Sequence, residues 1–418
     1  YKESGAVDVG AMHMSFWWGI KDCGDYEIYT ISDSPHPELG LTISDSPHPE
    51  LGLSPWVECV REDGTVLPWC IGSAFISSKG EDGLLHSLPN RKPERFQSYN
   101  NIITNYGKKG KGYHGAGASN MVYQQLMMAI QYGTKSSQSV FGGCTGYSMQ
   151  LPASIERAEA DTYFPIKKTD KSKFYVGSRV SIGYPADNKG TPNLDRGLGT
   201  LHQYADSAEI LAIEDIDEQN AKLVLDAEPF NTLPVEVGTI TPSIYVTTMP
   251  WYTGSTKAVS GRHDGANTSP SGYIYPYRIN GREYAVGLNE IPSDTVMIFQ
   301  PDYSKDVYLA PKGVKRTISE SEIKRDYIKL GNIPAAPDAA DFWIGDIKIA
   351  PEGSWYPLVI GTGDRVGTGD RCYSGGKSVG TREYLQGGLL WSWSNAGSAA
   401  LRCWTWPGDA GWDCAARD

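Results

Sequence analysis

The sequence has no long apolar run and little positive charge. No stretch approaches the about 18 consecutive apolar residues of a membrane-spanning helix, and residues 389–401 near the end, although free of charge, are broken by Ser, Asn and Gly. Lysine and arginine number 38 against 49 aspartates and glutamates, a formal net charge of −11. Nucleic-acid binding needs clustered Lys and Arg. We therefore expect no membrane insertion and no nucleic-acid partner.

Motifs of common catalytic and metal sites are also lacking. There is no HExxH, no GxxxxGK[ST], and no GxGxxG placed between a strand and a helix. The seven cysteines are an odd number, are widely scattered and have no CxxC spacing. This pattern favours reduced thiols over a disulfide framework. We predict no catalytic residue, no metal site and no cofactor.

The residues that are abundant favour strands and turns. The chain of 418 residues is long enough for a well-buried core. Its 47 Gly, 26 Pro and 25 Tyr are typical of turns and strands, and they disfavour long helical bundles. We predict an α+β, β-rich fold.

An exact tandem repeat lies near the start of the chain. The sequence TISDSPHPELGL occupies residues 30–41 and again 42–53. Two copies do not make a solenoid, so we interpret the repeat either as a duplication in an exposed loop or as an error of sequence assignment. His36 and His48, one in each copy, are expected to be solvated and not to bind a metal.

Residues 120–133 have the pattern of an amphipathic helix. Four apolar residues recur on one helical face, with Ser119 or Asn120 as N-cap and Gly133 as the stop. These four are Val122, Leu126, Ala129 and Ile130. Three methionines of the segment, Met121, Met127 and Met128, are predicted to fill the core.

Short alternating runs between residues 166 and 240 predict a small β-barrel or β-sandwich inserted into the chain. The runs are RVSIGY (179–184), AEILAI (208–213) and AKLVLDA (221–227), separated by Gly, Asn and Asp turns. Beyond this insert, residues 271–291, 341–350 and 354–361 are rich in Tyr, Pro and Gly. We predict strands and long loops there.

Tryptophan is concentrated at the C-terminal end. Five of the twelve tryptophans fall in the last 28 residues. We assign Trp412 to the core. The other four, Trp391, Trp393, Trp404 and Trp406, form two alternating pairs with no large apolar residue between their members. Exposed Trp together with Arg is typical of binding hot spots, so the pattern indicates a binding surface.

The ending REYLQGGLLWSWSNAGSAALRCWTWPGDAGWDCAARD (382–418) resembles the variable region of proteins diversified by diversity-generating retroelements. That family keeps a Gly-Gly, an Asn-Ala-Gly, a Pro, a Trp and a final Arg around two variable patches. The matching positions are Gly387, Gly388, Asn395, Ala396, Gly397, Pro407, Trp412 and Arg417. Adenine-directed mutagenesis in the family alters mainly Asn codons, which cannot become Trp codons. Trp391 and Trp404 therefore derive from another codon or belong to the scaffold.

The resemblance implies a C-type-lectin-like fold of the formylglycine-generating-enzyme type, with an inserted small β-barrel domain. The domain would comprise residues 1–165 and 241–418, with the barrel at 166–240 and the variable region at 382–418. The resemblance and the Trp pattern together predict a ligand-binding surface. Its residues are Leu390, Trp391, Ser392, Trp393, Arg402, Trp404, Thr405, Trp406, Asp409, Gly411 and Asp413.

Three functions follow from the resemblance. The first is a non-enzymatic phage receptor-binding protein at the tail-fibre tip, a homotrimer on an extracellular virion, contacting other tail proteins and a bacterial surface protein or glycan. The second is a cellular surface-displayed adhesin or sensor with the same fold. The third is an oxidase like formylglycine-generating enzyme, which would need copper held by two nearby cysteines; Cys403 and Cys414 do not form an evident pair.

Overall fold

The computed structural model describes residues 8–32, 53–111, 113–186, 195–256, 272–363 and 366–418. Strands outnumber helices, which confirms the β-rich α+β class. Most of the tandem repeat, including His36 and His48, lies outside the described residues. Within the described part of the chain, no helix is long and apolar enough to cross a membrane.

Three α-helices lie wholly within the described residues. They are α1 (Tyr99–Gly107), α2 (Ser119–Tyr132) and α3 (Glu320–Asp326). Helix α2 is the predicted helix, and Gly133 ends it in the left-handed conformation, at φ 63°. The expected cap is wrong, because the Asp294 carboxylate accepts the backbone N–H of Ala118 at 2.9 Å in place of a Ser119 or Asn120 cap.

Burial along α2 differs from the single predicted stripe. Its residues 119–128 are buried on all sides, and the three methionines fill the core as predicted. Ile130, predicted on the buried face, is 41% exposed, although Tyr132 of the same turn packs against the main core.

The described strands are short and numerous. In chain order they are β1 (Gly10–Met14), β2 (Trp17–Asp22), β3 (Glu27–Ser32), β4 (Ser54–Pro55), β5 (Trp69–Ser73), β6 (Ser78–Lys79), β7 (Leu85–His86), β8 (Gln150–Pro152), β9 (Tyr163–Lys167), β10 (Arg179–Gly183), β11 (Ala205–Asp215), β12 (Asn220–Leu225), β13 (Tyr245–Met249), β14 (Tyr277–Ile279), β15 (Arg282–Tyr284), β16 (Asn289–Glu290), β17 (Thr295–Phe299), β18 (Lys305–Leu309), β19 (Ile328–Ile333), β20 (Phe342–Ala350), β21 (Ser354–Ile360), β22 (Arg371–Tyr373), β23 (Gly380–Glu383), β24 (Leu385–Gln386), β25 (Leu401–Arg402) and β26 (Cys414–Ala415).

The predicted insert forms a six-stranded antiparallel sheet in the order β8-β13-β10-β11-β12-β9. Strands β10, β11 and β12 coincide with the three predicted runs. The sheet is wider than residues 166–240, since β8 and β13 complete one side and β9 begins at Tyr163. Its strand order is linear, with β8 and β9 at the two ends.

The C-terminal half forms two further sheets. A seven-stranded mixed sheet has the order β21-β20-β22-β25-β24-β16-β26, with parallel pairing in β22–β25 and β16–β26. An antiparallel sheet has the order β19-β18-β17-β23. The predicted strands at 341–350 and 354–361 are confirmed as β20 and β21.

Four smaller sheets, three in the N-terminal part and one in the C-terminal half, complete the described fold. They are β3-β2-β4, β1-β5, β6-β7 and the β14-β15 hairpin. The largest apolar core joins α2 to strands of both halves of the chain and includes Leu401 and Cys403. A second core under the six-stranded sheet includes Leu389, Leu390 and Trp412. The C-terminal segment is therefore fixed in both cores.

Candidate ligand-binding site

Four indoles of the C-terminal segment are exposed, and the residues next to them in sequence are mostly buried. Trp391 and Trp404 are each 44% exposed, Trp393 is 53% and Trp406 is 47%. The residues that alternate with them in sequence, such as Cys403 and Thr405, are buried. Trp412 is buried, as predicted.

The alternation at Trp404 and Trp406 arises from extended backbone. After β25, the Cys403 N–H donates to the Tyr373 carbonyl at 3.0 Å, and the Thr405 carbonyl accepts the Glu383 N–H at 3.0 Å. Successive side chains of an extended segment point to opposite faces. The hydrogen bonds on both sides of the segment therefore hold the indoles outward.

Trp391 and Trp404 line one cleft of about 550 Å³. Its remaining aromatic walls are Phe96, Tyr373 and Trp412, and its polar residues include Asp195, Arg402 and Asp413. Gly411 and Ser392 also line it. An apolar cleft with a few fixed polar groups is the usual form of a ligand site.

Arg402 forms a charged wall of this cleft. Its Nη1 lies 2.5 Å from Asp413 Oδ2, and its guanidinium carbon lies 4.2 Å from the centre of the Trp404 ring. The Arg402 side chain is 16% exposed, and its Nε has no hydrogen-bond partner. The sequence analysis predicted an exposed arginine on the ligand-binding surface. In the structure, Arg402 is instead held by the Asp413 carboxylate and the Trp404 ring, and its Nε donor is unpaired.

The Arg196 guanidinium packs against the Trp391 ring. Its guanidinium carbon lies 5.3 Å from the Trp391 ring and 5.5 Å from the Trp412 ring, and these two rings contact edge to face at 5.2 Å. Arg196 also donates to the Thr248 carbonyl and to Ser148 Oγ. Burial lowers the pKa of the Arg196 guanidinium to about 10.

Sequence reasoning missed Asp195, Arg196, Phe96 and Tyr373. Asp195, Phe96 and Tyr373 line the cleft, and Arg196 contacts the Trp391 ring. All four lie outside the variable region, and nothing in their local sequence marks them. Asp195 and Arg196 belong to the predicted insert. One wall of the cleft is therefore built by the six-stranded sheet and its loops.

Four of the predicted surface residues are buried, which corrects their assignment as solvent-facing groups. Leu390 packs in the core under the six-stranded sheet, and the Ser392 hydroxyl accepts the Leu389 N–H at 3.2 Å. Thr405 lies on the inward side of its extended segment, and Asp413 is covered by its ion pair with Arg402.

Trp393 and Trp406 do not line the cleft. The Trp406 ring lies under the Arg382 guanidinium, 3.2 Å from its carbon. Asp409, exposed as predicted, accepts the Trp406 N–H at 3.1 Å. Trp393 has φ of 50° and packs beside Gly146. The predicted set therefore divides into the cleft around Trp391 and Trp404 and two separate exposed indoles.

The residues at the positions that match the retroelement-diversified family have structural roles. A methyl group on Gly388 would lie 2.2 Å from Ala396 Cβ, and one on Gly397 would lie 2.4 Å from Ser137 Oγ. The buried Arg417 donates to both oxygens of Glu290, at 2.7 and 2.8 Å. These residues fix the backbone beneath the exposed indoles.

Two buried carboxyl groups lie beneath the same segment. Asp370 accepts the Ala399 N–H at 2.7 Å, and burial raises its pKa to about 7. Glu383 accepts the Tyr99 N–H at 2.7 Å, its other oxygen has no partner, and burial raises its pKa to about 8. Asp370 anchors the Asn-Ala-Gly turn to the core.

The nucleophilic side chains of the C-terminal region include its cysteines and a serine in a GxSxG match. Cys403 Sγ lies 3.5 Å from Cys372 Sγ in the buried core, while Cys414 lies beside Asp413, so Cys403 and Cys414 are not a pair. A GxSxG match that the sequence analysis overlooked, residues 376–380, has Ser378 in the loop between β22 and β23 and its last glycine, Gly380, at the start of β23. That motif requires a strand–turn–helix elbow, so neither feature supports catalysis.

Two comparisons with known proteins complete the description of the chain. No protein-family model matches the sequence, and no curated protein matches it either.

Proposed function

We propose that this chain is a receptor-binding protein of a phage tail-fibre tip. Its C-terminal surface would recognise a protein or glycan on a bacterial cell. The proposal includes the C-type-lectin-like fold and the retroelement-diversified variable region that the sequence resemblance implies. The observation that carries it is the exposure of four indoles on a segment whose alternate residues are fixed in two cores.

The arrangement separates stability from specificity. Exposed substitutions usually change the free energy of unfolding by less than about 0.5 kcal/mol, so the exposed positions can vary while the buried ones hold the backbone. A few aromatic and Arg anchors supply most of the affinity of an interface. The cleft with Trp391, Trp404 and Arg402 contains such anchors together. We expect a homotrimer, which would add avidity to weak single contacts.

Attachment of the purified chain to host cells tests this function. Trp391→Ala and Trp404→Ala should each reduce attachment at least tenfold, because an indole anchor contributes about 2 kcal/mol or more to binding. Their melting temperatures should change little. The matched control is Trp69→Ala, since Trp69 is 48% exposed and lies outside the cleft. Normal attachment by both cleft variants would refute the proposal.

The DNA around the gene tests the family separately. A diversified gene is accompanied by a near-copy of its variable region, with adenines at the differing positions, next to a reverse transcriptase. We expect such a copy of the DNA that encodes residues 382–418. Tail genes beside it would support the phage assignment, and neighbours without tail genes would contradict it.

A further inference from the structure

Three metal-ligating side chains meet under the β1-β5 sheet, away from the cleft. Cys59 Sγ lies 2.8 Å from Cys70 Sγ, and both ring nitrogens of His13 lie 3.6 Å from Cys70 Sγ. The candidate ligand atoms of the three residues all lie within 4.8 Å of one another. Among the described residues, this is the one such group of His, Cys, Asp and Glu side chains.

Strand register places two of these ligands together. His13 of β1 is the direct partner of Cys70 of β5, so their side chains share one face of the two-stranded sheet. The other face is exposed and carries four large apolar side chains. These are Met12, Met14, Trp69 and Ile71. Cys59, at the end of the 3₁₀ turn Val57–Cys59, supplies the third ligand from beneath.

The distances are near those of a tetrahedral metal site. With metal–sulfur bonds of about 2.3 Å and metal–nitrogen bonds of about 2.0 Å, two sulfurs stand about 3.8 Å apart and a sulfur and a nitrogen about 3.5 Å apart. The separation of Cys70 and His13 already matches, and the two sulfurs need to part by about 1 Å. Two buried thiols and one imidazole suit a thiophilic ion.

Two charged neighbours, Glu58 and Arg282, face the same ring nitrogen of His13. Arg282 binds Glu58 through two nitrogens, at 3.0 and 2.5 Å, and Glu58 Oε2 lies 3.5 Å from His13 Nε2. A carboxylate that accepts the second N–H of a ligating histidine orients the ring. Arg282 Nη2 now lies 2.7 Å from His13 Nε2. Ligation through Nδ1 would require Nε2–H to donate to Glu58 instead, with Arg282 keeping its bonds to Glu58.

We propose that His13, Cys59 and Cys70 bind one thiophilic metal ion, Zn²⁺ or Cu⁺. The ion would fasten β1 and β5 to the turn that carries Cys59. This site is independent of the proposed receptor-binding function, and it differs from the sequence analysis, which predicted no metal site.

Metal content of the full-length chain tests the proposal. After reduction and loading with Zn²⁺ or with Cu⁺, each in its own sample, elemental analysis should find one equivalent of at least one ion per chain. Cys59→Ser and Cys70→Ser should each lower that value at least tenfold at limiting metal, and His13→Gln should weaken retention against a chelator. The matched control is Cys372→Ser, which alters the other close thiol pair and should bind as the parent does.

A spectroscopic test covers variants that fail to fold. Co²⁺ added to the reduced parent chain should give the intense visible bands of tetrahedral thiolate coordination, and His13→Gln should shift them. The proposal is overturned if the loaded parent holds no metal, if Cys372→Ser alone abolishes binding, or if a parent that binds one equivalent of Zn²⁺ gives no such bands with Co²⁺. It is also overturned if mass spectrometry shows a Cys59–Cys70 disulfide that re-forms in the presence of either ion.

Discussion

Arg402 lines the candidate cleft and also pairs with a buried carboxylate. Its guanidinium neutralises Asp413, which is buried, and lies against the exposed Trp404 ring. A surface ion pair contributes little to stability, but a carboxylate left buried without a partner costs more. Arg402 therefore differs from the exposed indoles, whose removal leaves no unpaired charge.

We expect Arg402→Ala to lower the free energy of unfolding by about 1 to 3 kcal/mol, since it leaves the buried Asp413 carboxylate unpaired. The double variant Arg402→Ala with Asp413→Ala should lose less than the sum of the two single variants. Urea denaturation of the four proteins measures this coupling. Strictly additive losses would show that the ion pair does not stabilise the fold.

Asp370 gives the protein a specific pH dependence. Its pKa rises from 3.8 to about 7 in the folded state, so between those values the folded state binds more protons than the unfolded state. The contribution of Asp370 to the free energy of unfolding therefore falls as pH rises through this window, by up to about 1.4 kcal/mol per pH unit. The protonated Asp370 carboxyl is the stabilising form, and it predominates at the acidic end of this pH window.

Asp370→Asn should therefore flatten the dependence of stability on pH between about 4 and 7, since an amide does not ionise. Its stability relative to the parent should be higher at pH 8 than at pH 5. Denaturation at both pH values measures this. Asp302→Asn is the control, because Asp302 is exposed and hydrogen bonds from Ser304 lower its pKa, below this window. An unchanged slope in Asp370→Asn would contradict the assignment.

For single residues, the sequence predicted which side chains are exposed better than it predicted which side chains contact each other. The alternation around Trp404 and Trp406 was sufficient to place their indoles outward, because extended backbone imposes a period of two. It could not reveal that Arg196 supports Trp391 or that Asp413 binds Arg402, since these contacts depend on how distant segments pack. Leu390 and Thr405 were misassigned because the family pattern marks variable codons and not exposed side chains.

At the scale of elements, the turns of the C-terminal segment depend on glycine. Gly388 stands where a side chain would meet the Ala396 methyl group, and both residues are in the interior. Overpacking a closed site costs about 1 to 3 kcal/mol. The turn before the Trp391 indole is thus held by close packing.

Gly388→Ala should therefore destabilise the chain by about 1 to 3 kcal/mol. It should also weaken ligand attachment, because it displaces the turn that carries Trp391. Gly107→Ala is the matched control, since a Cβ there meets nothing within 4 Å, and a helical alanine is neutral or stabilising. Thermal unfolding and cell attachment measure the two effects, and equal behaviour of both variants would contradict the packing argument.

Long periodic elements were predictable and short ones were not. Helix α2 has nearly the predicted ends, because its apolar period and Gly133 are both strong local signals. The six-stranded sheet was predicted only in its central strands, β10 to β12. Its outer strand β8 has three residues, too few to show alternation, and it is a strand only because β13 pairs with it.

At the scale of the whole molecule, the six-stranded sheet and the C-terminal segment share one core. Ile210 of β11 belongs to the same apolar cluster as Leu390 and Trp412. The predicted division into a domain of 1–165 with 241–418 and an insert of 166–240 would allow the two parts to unfold separately. A shared core instead couples them, because loss of the sheet would expose the underside of the cleft.

Tryptophan fluorescence can measure this coupling, because residues 150–250 contain no tryptophan. Ile210→Ala removes a fully buried side chain from the sheet and should cost about 2 to 5 kcal/mol. Trp251 packs in the same core beside β13, so the comparison is made in a Trp251→Phe background. If the core is shared, the fluorescence transition of the remaining tryptophans should shift to lower denaturant by the same amount as circular dichroism. Leu211→Ala is the control, since Leu211 is the next residue and is 51% exposed. A fluorescence transition that stays in place while the sheet unfolds would mean that the binding surface is stable without the insert.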